Sequence, residues 1–106
     1  YNELLAELPI TLPLMDDSSS WHLYTIELQT HDRKKVFNSL RAGGVGVNVH
    51  YIPIHYHPYY RSLGFEPGMY PNAERYYANA ITLPLYPTLS FEDQDEVIKQ
   101  LSEALR

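Results

Sequence analysis

The segment Trp21–Leu28, WHLYTIEL, leaves this chain the fewest ways to fold. In an extended strand Tyr24, Ile26 and Leu28 share one face, while Trp21, Leu23 and Thr25 share the other. Both faces are largely apolar, so the segment belongs inside a sheet or under cover on two sides. The chain has 106 residues, enough for one domain with a modest core. An apolar share of 44% against a charged share of 20% fits an ordered chain.

The elements on either side follow from periodicity and punctuation. Thr30 is placed to cap a helix over His31–Ala42, with Val36, Phe37 and Leu40 toward the sheet. Arg33, Lys34 and Lys35 stand near its start, where the helix dipole favours acids, and read as a solvated face. Gly43 and Gly44 stop the helix. The GGVG they open lacks the lysine and hydroxyl residue of a phosphate loop and leads into a strand, so it is not a phosphate cradle. Val45–Tyr51 reads as a second strand. Its Val45, Val47, Val49 and Tyr51 face the helices, and Gly46, Asn48 and His50 face away. Pro53 ends any central pairing.

Downstream, Tyr59–Leu63 reads as a short helical turn ended by Gly64, and Phe65–Pro71 as a loop. Asn72 is placed to cap a helix over Ala73–Asn79, and Ala80–Leu85 reads as an edge strand interrupted by Pro84. Ser90 and Asp93 form a capping box for a helix from Phe91 to about Leu105, buried along Val97, Ile98, Leu101 and Leu105. Its acids Glu92, Asp93, Asp95 and Glu96 suit the dipole and read as solvated surface rather than a metal cage. Upstream, Leu4, Leu5 and Leu8 line one side of a helix over Tyr1–Leu8 closed by Pro9, and Ile10–Met15 reads as an edge strand or connector. The order gives a two-layer α+β domain over 21–106: a three- or four-stranded, mainly antiparallel sheet with helices on one face. Residues 1–20 read as the end of an interdomain helix and its connector. The uncapped YNELLAEL and the lack of an initiating Met read as a piece of a longer protein.

A net charge of −5, with no basic cluster beyond Arg33–Lys35, gives nucleic-acid binding little support. No apolar run approaches the roughly 20 residues that span a bilayer. Cysteine is absent, which rules out disulfide and thiolate chemistry and is compatible with the cytoplasm. The chemistry concentrates in VGVNVHYIPIHYHPYY at Val45–Tyr60. His50, His55 and His57 invite a zinc reading, but no acid lies between Val45 and Tyr60 to orient such ligands. His50 is the better candidate for substrate binding or acid–base work, because it stands on the expected strand. The tyrosines at 51, 56, 59 and 60 suit an aromatic-lined pocket or an interface. From the residues alone this is a domain that contributes groups to a site without completing one. A histidine-based metal enzyme and a non-catalytic interaction domain both stay open.

Three stretches carry a resemblance: WHLYTIEL at Trp21–Leu28, NVHYIPIHYHPYYRSLGF at Asn48–Phe65 and PNAERYYANAITLPLYPTLSFEDQDEVI at Pro71–Ile98. Together they resemble the C-terminal small domain of the DegT/DnrJ/EryC1 family of sugar aminotransferases, fold-type I enzymes that use pyridoxal phosphate (PLP). The long forms most resemble the branch that aminates UDP-linked 4-keto-6-deoxy-N-acetylhexosamines. That branch includes the altrosamine transaminases of pseudaminic acid synthesis and the spore-coat polysaccharide enzymes. The resemblance implies transfer of an amino group, from glutamate, to C4 of the keto-sugar by a cytoplasmic homodimer with active sites at its subunit interface. It also implies that the PLP-binding lysine belongs to a large domain outside this chain. Lys34, Lys35 and Lys99 match surface helix positions, so the chain alone is expected to bind no cofactor and to be inactive. Within the chain, Asn48–His57 resembles the small-domain wall near the nucleotide sugar. His50 is then the nearest polar contact, Asn48 lies on the same face, and Tyr51, His55 and Tyr59 are further substrate contacts.

Overall fold

A computed structural model describes residues 1–106. Three strands form one antiparallel sheet in the order β1 (Ile10–Thr11), β2 (Tyr24–Leu28), β3 (Ala80–Leu83). The doubly apolar segment is the middle strand. Ile10 pairs with Leu28 on one side of it, and Tyr24 pairs with Leu83 on the other. Residues Tyr24, Ile26 and Leu28 are buried and Thr25 and Glu27 only half-buried, so the alternation separates a core face from a polar one.

Two long helices cover the core face. Asp32 caps α2 (Arg33–Ala42) by accepting the Lys35 N–H at 2.8 Å, a role the sequence assigned to Thr30. Asp32 is the last extended residue before the helix, which puts its carboxylate, and not the earlier hydroxyl, within reach of that donor. Ser90 caps α5 (Phe91–Ala104) as expected. Val36, Leu40, Val97, Leu101 and Leu105 join Tyr24, Ile26, Leu28, Ile81 and Leu83 in one core. Arg33 is half-buried and lies 4.9 Å over the Tyr77 ring, an attraction that offsets its poor placement in the helix dipole. The N-terminal helix, α1, is shorter than its apolar spacing suggests (Asn2–Leu5), with only Leu5 buried. On the polar face the short α4 (Pro71–Asn79) meets β2 near Glu27, where Arg75 pairs at 3.2 Å. This helix starts at Pro71, so Asn72 lies inside it and is not its cap. Proline at the first position presets φ and has no N–H left to satisfy.

The expected strand Val45–Tyr51 does not form. Only Asn48 pairs with the sheet, through a single bridge to Thr82 at 2.8 and 3.1 Å. A longer ladder lacks partners on β3: opposite Gly46 stands Pro84, which has no N–H, and opposite His50 stands Ala80, whose N–H bonds the Tyr76 carbonyl at the end of α4. The Val47 N–H bonds the Val45 carbonyl in a three-residue turn about Gly46, and the Asn48 side chain accepts the Val49 N–H at 2.8 Å. Val45 and Val47 still reach the core, but Tyr51 is 69% exposed instead of facing the helices.

Beyond that bridge the chain makes a 3₁₀ turn at Ile54–Tyr56 and then α3 (Pro58–Ser62). The turn is tied down by a charge-assisted contact: buried His55 donates from Nε2 to Glu74 Oε1 at 2.7 Å. The same carboxylate oxygen accepts the Gly68 N–H at 2.7 Å. Rings gather around this point, with Tyr56 at 4.7 Å and Tyr70 at 4.9 Å from His55. One carboxylate therefore joins the 3₁₀ turn, the following loop and the first turn of α4. The hydrogen bond from His55, followed by those from backbone N–H groups, holds the Glu74 carboxyl below its ordinary value of 4.5.

A depressed carboxylate pKa means that the unfolded chain binds more protons than the native one in this range. The Glu74 contribution is full above about pH 4.5 and is lost as pH falls through the lowered value. Urea unfolding of the wild type and Glu74→Gln should therefore show a lower midpoint for the variant at pH 7 and a narrowing gap toward pH 3. A gap that stays constant over that range would show that the carboxylate charge plays no such part.

Candidate functional site

The segment 48–60 leaves the sheet at the Asn48–Thr82 bridge and is held a second time at His55. Between these two anchors it presents His50, Tyr51, Ile52 and Ile54, and beyond the second it presents Tyr59 and Tyr60. Tyr51, Ile52, Ile54, Tyr59 and Tyr60 are all exposed. A run of large apolar side chains left in water on a domain this small marks a contact surface.

The half-buried His50 supplies the polar group on this edge. Its Nδ1 lies 2.9 Å from Thr82 Oγ1, and Thr82 Oγ1 lies 2.9 Å from Thr25 Oγ1. The sheet register creates this chain of contacts. The backbone N–H and carbonyl of Thr82 both bond Asn48, so toward β2 it forms a non-hydrogen-bonded pair with Thr25. Side chains approach most closely at such pairs. Thr82 is only 4% exposed, which keeps water from its hydroxyl. His50 Nε2 has no protein partner, and no buried polar side-chain atom lacks one, so Nε2 is open to solvent. The Tyr51 ring packs against the imidazole with centroids 4.5 Å apart.

The other residues singled out by the sequence fall in different settings. Asn48 is exposed, but its side-chain oxygen is occupied by the Val49 N–H. Tyr59 is exposed against Tyr60, with centroids 5.2 Å apart. His55 turns inward to Glu74 and does not share a surface with His50. His57 is exposed at the start of α3. The three histidines do not converge, and no group of three histidines or acids is arranged to hold a metal ion. None of the expected contact residues lines either of two clefts of about 700 and 360 Å³. The larger cleft lies instead between Tyr1, Trp21, Met15 and Phe91. There Tyr1, pushed up to about 12 by burial and then by the neighbouring Tyr86 and Tyr24, donates to the Pro84 carbonyl at 2.8 Å.

The chain's three lysines stand on helix surfaces. Lys34 and Lys35 are exposed on α2, and Lys99 is exposed on α5 at 3.4 Å from Glu96.

Sequence reasoning missed three residues that build this edge: Glu74, Thr82 and Thr25. Glu74 reads from sequence as a dipole-friendly acid in a first turn. The missed signal was a histidine between prolines that had no acid nearby in sequence and needed one in space. Thr82 is the one hydroxyl in the apolar run AITLPL, and such a group in a buried strand calls for a partner.

Over 97 residues the chain is 34% identical to the Bacillus subtilis spore coat polysaccharide biosynthesis protein SpsC, matching 86% of this chain and 25% of that protein. It spans about a quarter of the length of the curated relatives it matches. A Streptococcus pneumoniae chain solved in its PMP form superposes with a TM-score of 0.91 at 31% identity, over 98% of this chain and 28% of that one. Helicobacter pylori PseC, an aminotransferase involved in the biosynthesis of pseudoaminic acid, superposes with a TM-score of 0.88 at 28% identity, over 99% and 30%. The sequence profile of the DegT/DnrJ/EryC1/StrS aminotransferase family matches residues 1–102, and the chain belongs to that family.

Proposed function

We propose that this chain is the small domain of a longer PLP-dependent sugar aminotransferase, with residues 48–60 as the wall that meets the sugar. One observation carries this reading: a half-buried His50 with an open Nε2 stands among exposed tyrosines on a segment pinned at both Thr82 and Glu74. A doubly anchored edge presents its side chains with little left to order when a ligand arrives. The polysaccharide role of SpsC and the pseudoaminic acid role of PseC support a nucleotide-sugar substrate. With the motifs at 48–65 and 71–98, they favour a UDP-linked 4-keto-6-deoxy-N-acetylhexosamine aminated at C4, with glutamate as donor. In this reading the intact enzyme is a cytoplasmic homodimer.

When bound, PLP carries the amino group between donor and acceptor. The residues of this chain bind and orient. His50 offers its Nε2 to a sugar oxygen, while Tyr51 and Tyr59 cover apolar faces of the substrate and exclude water. Asn48 fixes the start of the segment through its backbone bridge. His55 acts at one remove, by holding the 3₁₀ turn against Glu74.

Two measurements test this reading. The 106-residue chain mixed with PLP should give no lysine-linked cofactor band at about 410–430 nm. A borohydride-trapped adduct that supports transamination would overturn the assignment of the cofactor to another domain. In the aminotransferase carrying this domain, His50→Ala should raise KM for the keto-sugar roughly tenfold, as expected for one lost hydrogen bond, and leave the amino-donor half-reaction unchanged. An unchanged sugar KM would remove His50 from the site.

A further inference from the structure

We propose that Thr82 is a positioning residue that holds neutral His50 as its Nε2–H tautomer, so that the imidazole presents a hydrogen-bond donor and not a base. The inference rests on the reading of residues 48–60 as a substrate wall only for what receives that donor. The tautomer itself follows from the protons available along Thr25, Thr82 and His50.

Thr25 Oγ1, Thr82 Oγ1 and His50 Nδ1 form a line with two contacts of 2.9 Å. Each hydroxyl has one proton to give. In one arrangement Thr25 donates to Thr82, Thr82 donates to Nδ1, and the imidazole proton sits on Nε2. Every hydroxyl proton on the line then has an acceptor inside the protein. In the other arrangement Nδ1–H donates to Thr82 and Thr82 donates to Thr25, so half-buried Thr25 gives its own proton to water, and the buried Thr82 proton goes to a hydroxyl oxygen instead of to the stronger acceptor, the imidazole nitrogen. The first arrangement also leaves Nε2–H at the open end of the ring, where water or a ligand oxygen accepts it.

The line is stiff because each member is fixed independently. Thr25 and Thr82 are β-branched residues opposed at a non-hydrogen-bonded pair of the sheet. Thr82 also clamps the backbone two residues before His50, through its bridge to Asn48. One buried residue therefore sets both the position of the segment and the orientation of the ring upon it. A donor at Nε2 suits a carbonyl, hydroxyl or phosphate oxygen of a sugar nucleotide. It does not suit removal of a proton from the substrate.

The test reads the tautomer directly in the folded chain, without substrate. Histidine-selective ¹⁵N labelling and long-range ¹H–¹⁵N correlation, at a pH well above the ordinary histidine value of about 6.5, separate protonated from unprotonated ring nitrogens. The wild type should show His50 with a protonated Nε2 and an unprotonated, hydrogen-bonded Nδ1. Thr82→Val keeps the branched shape and removes the hydroxyl, so the His50 signals should move to the averaged values of a free imidazole. Thr82→Ser should restore the wild-type pattern. Amide spectra that still match the wild type outside residues 48–50 and 80–83 establish that both variants fold. A protonated Nδ1 in the wild type would overturn the proposal, as would a His50 pattern that Thr82→Val leaves untouched. If His50 instead fails to contact the sugar, the substrate-wall reading falls while the tautomer result stands.

Discussion

Everything distinctive about this domain hangs from Thr82. Its backbone takes both hydrogen bonds of the bridge to Asn48, and its buried hydroxyl lies between Thr25 and His50. Without that bridge the segment after α2 has no pairing with the sheet at all, because Pro84 has no N–H to offer and the Ala80 N–H is taken by Tyr76. The core of Ile26, Leu40, Ile81 and Leu101 makes none of these polar contacts. The edge that carries His50 would not be held. The two faces of one small sheet thus differ in kind: apolar burial on one, a short line of hydroxyls on the other.

A second anchor makes the edge rigid enough to be useful. Glu74 reaches from the first turn of α4 to His55 and to the Gly68 N–H, so the segment is held at both ends before it enters α3. The two anchors differ in kind. The Thr82 line runs through one buried hydroxyl, while the Glu74 contact depends on an ionised carboxylate and fades in acid. Between and beyond the anchors, the exposed tyrosines and isoleucines have no neighbours within this chain to cover them. The chain matches about a quarter of the length of longer relatives such as SpsC.

Much of this was legible in the sequence, and the failures have physical causes. The central strand, both long helices and their buried stripes follow from periodicity, because apolar spacing reports which side of an element meets the core. The strand at Val45–Tyr51 failed although its pattern was as regular as that of β2. Alternation says which way side chains point, not whether a partner backbone is present. Here Val45 and Val47 point inward as expected while Gly46 allows the turn that ends the ladder. Of the candidate contact residues, His50 was singled out by the alternation of a strand that does not form, and Tyr51 by its place in the motif. The inward turn of His55 was not legible, because the carboxylate that draws it in lies nineteen residues away in the chain. Family resemblance supplied the expectation of transamination chemistry. The register of three threonine and asparagine positions across the sheet supplied the geometry.

The central claim is that residues 48–60 meet the sugar. A crystal structure of the aminotransferase carrying this domain, with its aminated sugar nucleotide bound, tests it most directly. The account predicts His50 Nε2 within about 3.2 Å of a ligand oxygen, with Tyr51 or Tyr59 in contact with the ligand. A ligand seated with no atom of residues 48–60 against it would contradict the account.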